Sequence, residues 1–117
     1  MKWKDALANR RHWDAAADEY QARHGAHIGR PEPRWGIWQL REDELQVLGD
    51  VAGKDVLELG CGAAQWSILL AKRGARVVGL DNSERQLEHA KKNMHGRPPF
   101  AHQKGQIVRV VSKIERV

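Results

Sequence analysis

Two short apolar runs with a glycine-rich turn between them constrain this chain more than any other feature. Residues 55–59, Asp-Val-Leu-Glu-Leu, and residues 76–80, Arg-Val-Val-Gly-Leu, have the length and composition of buried strands. The first run passes directly into the turn 60–62, Gly-Cys-Gly, and the second ends at Asp81. A helix over residues 64–73 fits between them. This order predicts a βαβ unit with two parallel strands.

The pattern continues beyond the second strand. Ser83 and Gln86 form a capping box, in which the Ser83 hydroxyl accepts the Gln86 backbone amide proton and the Gln86 side chain reaches back. The helix that they open extends to Met94, and residues 106–111 are the candidate for a third strand. The predicted fold class is therefore α/β, a Rossmann-like three-layer sandwich that is incomplete.

The first part of the chain predicts helices. Residues 4–24 carry an apolar stripe at helical spacing, made of Trp13, Ala16, Ala17 and Tyr20. Glycine and proline break this pattern over 25–33, and residues 41–48 suit a second, short helix. We expect three parts, which are an N-terminal helical cap region (1–50), a cofactor-binding half (51–94) and a basic tail (95–117).

The glycine turn and Asp81 predict a binding site at the carboxyl ends of the two strands. Gly60 and Gly62 let the backbone turn sharply and let a ligand approach closely. The amides that open the following helix attract a negative group. A carboxylate at Asp81 can accept both hydroxyls of an adenosine ribose, and ligands of open α/β sheets bind at such strand ends. These residues predict an adenosine-containing cofactor.

Two residues bear on which cofactor this is. A dinucleotide fingerprint has a glycine where this chain has Gln65, and Glu58 is awkward beside a pyrophosphate. Glu58 suits a cation, such as the amino or sulfonium group of S-adenosylmethionine. A fragment of a nicotinamide- or flavin-binding Rossmann oxidoreductase stays as the alternative, and so does a non-catalytic fragment that pairs with another chain.

The two strand ends resemble a known family. Residues 56–62, Val-Leu-Glu-Leu-Gly-Cys-Gly, look like the first motif of class I S-adenosylmethionine-dependent methyltransferases, and residues 77–83 look like the segment that follows it. Residues 13–20 are similar to the leading helix of many members that act on small molecules. The resemblance covers roughly residues 11–94 and implies S-adenosyl-L-methionine as cofactor and a small-molecule substrate.

The family pattern also implies roles for single residues. Glu58 would organise the loop and the methionine end of the cofactor. Gly60, Cys61 and Gly62 would contact the cofactor through their backbone. Asp81 would bind the ribose hydroxyls, and Asn82 would lie near the adenine.

The resemblance also predicts what this chain lacks. Family members have a seven-stranded sheet in the order 3-2-1-4-5-7-6, whereas this chain supplies strands 1 and 2 and a candidate for strand 3. We expect an exposed apolar edge at 56–59, which favours self-association. The catalytic residues are unknown, and the isolated chain is expected to have no turnover. The change of character after Met94 predicts a truncated or frame-shifted reading.

Charge and composition argue against a nucleic-acid-binding, membrane or secreted protein. The net charge of +5 comes from the last 27 residues, because residues 1–90 hold 13 basic and 14 acidic side chains. The tail lacks interleaved aromatic residues, so nucleic acid is not an expected partner. No apolar run is long enough for a membrane span, and residues 1–5 do not resemble a secretory signal.

The cysteine, histidine and aromatic residues allow further predictions. The one cysteine, Cys61, excludes a disulfide framework within the chain and favours the cytoplasm. It is expected to be a buried packing residue and not a nucleophile. The six histidines have no cysteine or carboxylate cluster beside them, so we expect no metal site. Tyr20 and Trp35 are candidates for a lid over the cofactor.

Overall fold

The computed structural model describes residues 3–28, 32–95 and 106–111. The described residues form four helices and five strands, and from β3 onwards strands and helices alternate as in an α/β domain. They are α1 (Trp3–Ile28), β1 (Arg34–Trp35), β2 (Leu40–Arg41), α2 (Glu42–Leu45), β3 (Asp55–Leu59), α3 (Gln65–Lys72), β4 (Arg76–Leu80), α4 (Glu84–His95) and β5 (Gln106–Val111). The rest of the predicted basic tail lies outside the described residues.

The main sheet has three parallel strands in the order β3-β4-β5. Val56 lies opposite Val77, and Glu58 lies opposite Gly79. The pairing of β4 with β5 has an irregularity between Val77 and Val78. Both strands predicted from the apolar runs have the predicted bounds. The prediction of a buried strand is wrong for residues 55–59, which are half-buried or exposed. The candidate third strand pairs with β4.

The core lies on one face of this sheet. Side chains alternate across a strand, so Val56 and Val77 point to the same side. They pack there against α3 and the segments beside it, in a cluster completed by Val51, Leu70, Ala71 and Ala75. On the opposite face, Leu57 is 60% exposed and Leu59 is 71% exposed. The described residues therefore contain the sheet and one helical layer of the Rossmann-like sandwich.

The long helix α1 belongs to that helical layer, where it packs against α4 and α3. It continues through Gly25 to Ile28, so the helix end expected at Gly25 is wrong. A glycine inside a helix costs only about 1 kcal/mol. A side chain at this position would also be crowded, since its Cβ would lie 3.3 Å from Gln21 Oε1. Tertiary contacts of α1 outweigh the local signal of the glycine.

The segment between α1 and β3 is less helical than predicted. β1 and β2 form a small antiparallel pair, and α2 is only four residues long. The helix expected over 41–48 ends at Leu45, and the next residue, Gln46, adopts the left-handed conformation with φ of 52°. The buried Glu42 carboxylate causes this early end, because it accepts hydrogen bonds from the backbone N–H groups of Val47 and Leu48.

Candidate functional site

The carboxyl ends of β3 and β4 are joined directly. The backbone N–H groups of Gly60 and Cys61 both donate to the Leu80 carbonyl, at 2.7 and 3.0 Å. Gly60 and Gly62 have φ of 70° and 54°, a conformation that favours glycine. A Cβ built on Gly60 meets no described atom within 4 Å. The described residues therefore leave the backbone of Gly60 open to close approach, and its contact with a ligand stays a prediction.

Asp81 is fixed by the backbone around it. Its Oδ2 accepts the Gly62 N–H at 2.9 Å, and its Oδ1 accepts the Ser83 N–H at 2.8 Å. Each oxygen of an ionised carboxylate has a second lone pair, so Asp81 can accept two further hydrogen bonds. The contact with Gly62 confirms that the predicted carboxylate and the predicted turn come together.

Glu58 points to the helical face of the sheet. Its Oε1 accepts a hydrogen bond from the fully buried Ser67 hydroxyl in α3 at 2.7 Å. Burial raises the pKa of Glu58, and the nearby charge of Asp81 adds to this, while the hydrogen bonds from Ser67 oppose it. The structure thus places Glu58 beside the turn with a carboxylate that takes up a proton more readily than usual.

Cys61 is a buried thiol packed against β4. Burial, and then the charges of Glu58 and Asp81, raise its pKa to about 12. The thiol is therefore protonated at neutral pH, which argues against a nucleophile. A Cβ on Gly79 would lie only 2.9 Å from Cys61 Sγ, so a larger residue at position 79 would force the Cys61 side chain to move.

The side chain of Asn82 is engaged by α1. Its Nδ2 donates to the Ala6 carbonyl at 2.8 Å, and its Oδ1 accepts from Arg10 Nε at 2.9 Å. Any contact of Asn82 with an adenine would therefore come from its backbone, unless these hydrogen bonds break. No sequence pattern indicated this attachment, because its partners are more than 70 residues apart.

Three glutamines form a second link to α1 that the sequence did not indicate. Gln65 Nε2 donates to Gln21 Oε1 at 2.6 Å, and Gln21 Nε2 donates to Gln86 Oε1 at 2.8 Å. The Ser83 hydroxyl accepts the Gln86 N–H at 3.1 Å, as the capping box predicted. The predicted return of the Gln86 side chain to the helix start is wrong, because Gln21 engages its amide instead.

The two lid candidates are held by neighbouring side chains. Trp35 packs on Trp66 of α3, with ring centroids 4.6 Å apart, and its Nε1 donates to Glu42 Oε1 at 3.2 Å. The Tyr20 ring meets Trp13 edge-to-face at 5.2 Å. A lid function stays a prediction for both residues.

Two absences hold for the described part of the chain. It contains no group of three or more histidine, cysteine, aspartate or glutamate side chains that could hold a metal ion. It also has no helix with the length and apolar character needed to cross a membrane.

A family model described as a methyltransferase domain matches residues 56–113. The chain is 43% identical over 60 residues to a ubiquinone biosynthesis O-methyltransferase of Dechloromonas aromatica, which covers 51% of this chain and 26% of that protein. It is 56% identical over 43 residues to a ribosomal protein L11 methyltransferase of Thermosipho africanus, covering 36% of this chain and 16% of that protein.

The fold has a counterpart among solved structures. A crystal structure of magnesium protoporphyrin IX methyltransferase from Synechocystis PCC 6803 with bound SAH superposes with a TM-score of 0.64 at 21% identity. The match covers 94% of this chain and 52% of that one. The chain thus spans about half of this structure and about a quarter or less of the two curated relatives.

Proposed function

Because the chain belongs to the class I S-adenosylmethionine-dependent methyltransferases, we propose that it binds S-adenosylmethionine at the carboxyl ends of β3 and β4. The observation that carries the proposal is the hydrogen bond from the Gly62 N–H to Asp81 Oδ2. It joins the turn that would approach the cofactor to the carboxylate that would bind it. Both features come from the residues matched by the family model.

Asp81 would accept the two ribose hydroxyls of the cofactor. The Gly62 and Ser83 N–H groups already orient its carboxylate, so little ordering is needed when the ligand binds. Gly60, Cys61 and Gly62 would contact the cofactor through their backbone. The positive φ angles of both glycines support this role.

Glu58 would organise the methionine end of the cofactor. A cationic ligand group beside it would favour the ionised carboxylate, and so would offset the effect of burial on the Glu58 pKa. Cys61 would act by packing, since its thiol stays protonated. Asn82 would face the adenine with its backbone.

The chemistry of transfer comes from the cofactor, whose sulfonium carries an electrophilic methyl group. The residues of this chain would hold that group in place and exclude water from it, so that an acceptor can approach in line. Proximity and orientation supply most of the rate enhancement in such a step. We assign no catalytic acid or base.

A small molecule is the proposed acceptor, in the cytoplasm. The similarity to ubiquinone biosynthesis O-methyltransferases supports this choice. Methyl transfer to a panel of small-molecule acceptors and to ribosomal protein L11, measured on the whole protein, would test it. Methylation of the ribosomal protein alone would contradict the proposal.

Self-association through the β3 edge is also proposed. The exposed Leu57 and Leu59 support it, because a sheet edge beside an apolar face can pair with another chain. Sedimentation equilibrium measures it directly. A monomer at all concentrations would contradict this part of the proposal.

Isothermal titration calorimetry tests cofactor binding. We expect heat from S-adenosylmethionine and S-adenosylhomocysteine, and none from NAD. Asp81→Asn should weaken the binding of S-adenosylmethionine and of S-adenosylhomocysteine by about tenfold or more. The reason is that hydrogen bonds to a charged group are lost. Asp18→Asn is the matched control, since Asp18 lies in α1 and contacts Arg85 and His89 but not the turn. Binding of NAD alone would overturn the proposal.

A further inference from the structure

We propose that Asp14 is a positioning residue for the Asp81 carboxylate and acts on it through Ser83. This inference rests on the proposed binding of S-adenosylmethionine, and it assigns to α1 a part in ribose recognition. Asp14 lies in α1, on the helix face that meets the loop after β4. It does not touch Asp81 directly, so its influence would pass through one intermediate residue.

Ser83 is that intermediate. It is fully buried, and its backbone N–H donates to Asp81 Oδ1 at 2.8 Å. Its hydroxyl donates to Asp14 Oδ1 at 2.6 Å, across 69 residues of sequence. The donor that orients Asp81 and the hydroxyl that Asp14 holds thus belong to one immobilised residue. A shift at the Ser83 hydroxyl therefore moves the N–H that fixes Asp81.

Asp14 also holds the first turn of α4. Its Oδ1 accepts the Arg85 N–H at 3.2 Å. Carboxylates near the N-terminus of a helix are favoured by the helix dipole. Asp14 therefore sets the position of Ser83 from two sides, through the hydroxyl and through the helix that begins beside it.

A separate attachment keeps α1 in place when Asp14 is replaced. Arg10 Nε donates to both oxygens of Asn82, the side-chain Oδ1 at 2.9 Å and the backbone carbonyl at 3.1 Å. The bonds between Gln21 and its two glutamine partners lie further along the same helix. Loss of the Asp14 contact should therefore loosen the Asp81 loop locally while α1 stays docked.

Ligand selectivity separates positioning from a merely structural role. The probes are S-adenosylhomocysteine and its 2′-deoxy analogue, and the readout is the ratio of their dissociation constants. Asp14→Ala removes the acceptor of the Ser83 hydroxyl, whereas Asp14→Asn keeps an oxygen at that place. Ser83→Ala removes the donor of the same hydrogen bond. It replaces Asp14→Ala in the experiment if that variant does not fold. Asp18→Asn is the control on the same helix.

We expect the unmodified chain to bind S-adenosylhomocysteine about tenfold more tightly than the 2′-deoxy analogue. This is the effect of losing one hydrogen bond to a charged group. The preference should fall at least threefold in Asp14→Ala and Ser83→Ala, and should persist in Asp14→Asn and Asp18→Asn. An equal loss of affinity for both ligands in Asp14→Ala would overturn the inference. So would an Asp14→Asn variant that behaves like Asp14→Ala.

Amide hydrogen exchange gives a readout without ligand. If Asp14 positions the loop, exchange of the Gly62 and Ser83 amides should accelerate in Asp14→Ala by about tenfold and stay unchanged in Asp18→Asn. Unchanged exchange in Asp14→Ala would refute the positioning role. If the unmodified chain binds neither ligand, the proposed function fails, and the exchange experiment still decides whether Asp14 holds Asp81.

Discussion

Two glutamates in this chain are withdrawn from water, and their pKa values move in opposite directions. Glu42 in α2 is 1% exposed, and Glu58 in β3 is half-buried. Burial favours the neutral form of both. Glu42 accepts hydrogen bonds from two backbone N–H groups and an indole, which outweigh burial and lower its pKa. Among the described residues, Ser67 is the one that donates to Glu58, and burial raises the Glu58 pKa.

The number of donors therefore decides what a buried carboxylate does. Glu42 is fully supplied with donors and joins β1 to the turn after α2, a structural task. Glu58 is under-supplied and stands beside the turn that would hold the cofactor. A carboxylate with room for one more positive partner is the kind of group that a ligand can complete.

The largest expected effect comes from Glu42→Gln. The amide oxygen can take the place of Oε1, which accepts from Trp35, Val47 and Leu48, and the new NH2 group would then replace Oε2 and face the Leu48 N–H. An unsatisfied buried donor costs more than a lost hydrogen bond, so we expect the Tm to fall by roughly 10 °C. Differential scanning calorimetry at pH 7 measures this. A Tm within 2 °C of the unmodified chain is roughly the scale of a surface change. That result would contradict the structural role of Glu42, and with it the difference from Glu58.

Gly79→Ala should have the next largest effect, because Gly79 lies opposite Glu58 in the sheet. Its new Cβ would lie 2.9 Å from Cys61 Sγ, 3.1 Å from Cys61 Cβ and 3.4 Å from Ser67 Oγ, and so would press on the hydroxyl that donates to Glu58. Overpacking of this kind lowers the Tm by roughly 5–10 °C.

The effect of Gly79→Ala can also be measured in a chain that carries Cys61→Ala. That substitution removes the sulfur atom that the new methyl group would meet. The loss caused by Gly79→Ala should therefore be smaller in the Cys61→Ala chain than in the unmodified one. Part of the loss should remain, because the Cβ of residue 61 stays 3.1 Å from the new methyl group. Equal losses in both backgrounds would show that the clash with Cys61 Sγ is not the cause.

A smaller effect of opposite sign is expected for Glu58→Gln. Because the folded-state pKa is raised above the usual 4.5, the ionised carboxylate destabilises the fold at pH values above that folded-state pKa. Removal of this charge should raise the Tm by roughly 3 °C at pH 7. The gain should vanish as the pH falls towards 4.5, where the unmodified Glu58 is protonated in the folded chain.

Glu42→Gln should show the reverse pH dependence. Its lowered pKa stabilises the fold above pH 4.5, and that contribution is lost as the pH falls through the folded-state value. The Tm deficit of Glu42→Gln should therefore shrink only below pH 4.5. Thermal unfolding of both variants between pH 3 and 7, a range around the usual glutamate pKa of about 4.3, measures the two pH dependences together. If the Tm changes of Glu42→Gln and Glu58→Gln varied with pH in the same way, the opposite pKa shifts would be contradicted.

The smallest effect should appear at Cys61. The Glu58 charge is second to burial among the causes that raise the thiol pKa to about 12. Glu58→Gln should therefore increase the rate of alkylation by iodoacetamide at pH 8 by about two- to fourfold, because more thiolate forms. Asp18→Asn should leave the rate unchanged. An unchanged or slower rate in Glu58→Gln would contradict a charge effect of Glu58 on Cys61.

The central part of the fold was predictable because its signals are local. The strands 55–59 and 76–80 are apolar runs bounded by turns, and both are confirmed. The early end of α2 was not predictable, because it depends on how the Glu42 carboxylate folds back onto Val47 and Leu48. The passage of α1 through Gly25 likewise depends on contacts with other helices.

The site divides in the same way. The meeting of Asp81 with Gly62 follows from parallel strand ends, and the structure confirms that contact. The attachment of Asn82 to Arg10 and Ala6 and the link from Ser83 to Asp14 join residues 69 to 76 positions apart. No periodicity or motif carries such pairings. The cofactor roles of all these residues stay predictions.

The polar face of α1 also has a consequence for synthesis on the ribosome. Arg10 and Asp14 leave the ribosome some 70 residues before their partners Asn82 and Ser83. At about 5–20 residues per second, the helix waits roughly 4–14 s for them. An apolar docking face would risk aggregation during this interval, whereas charged and amide side chains remain hydrated. The contacts that order the finished loop are thus of a kind that the nascent chain can expose safely.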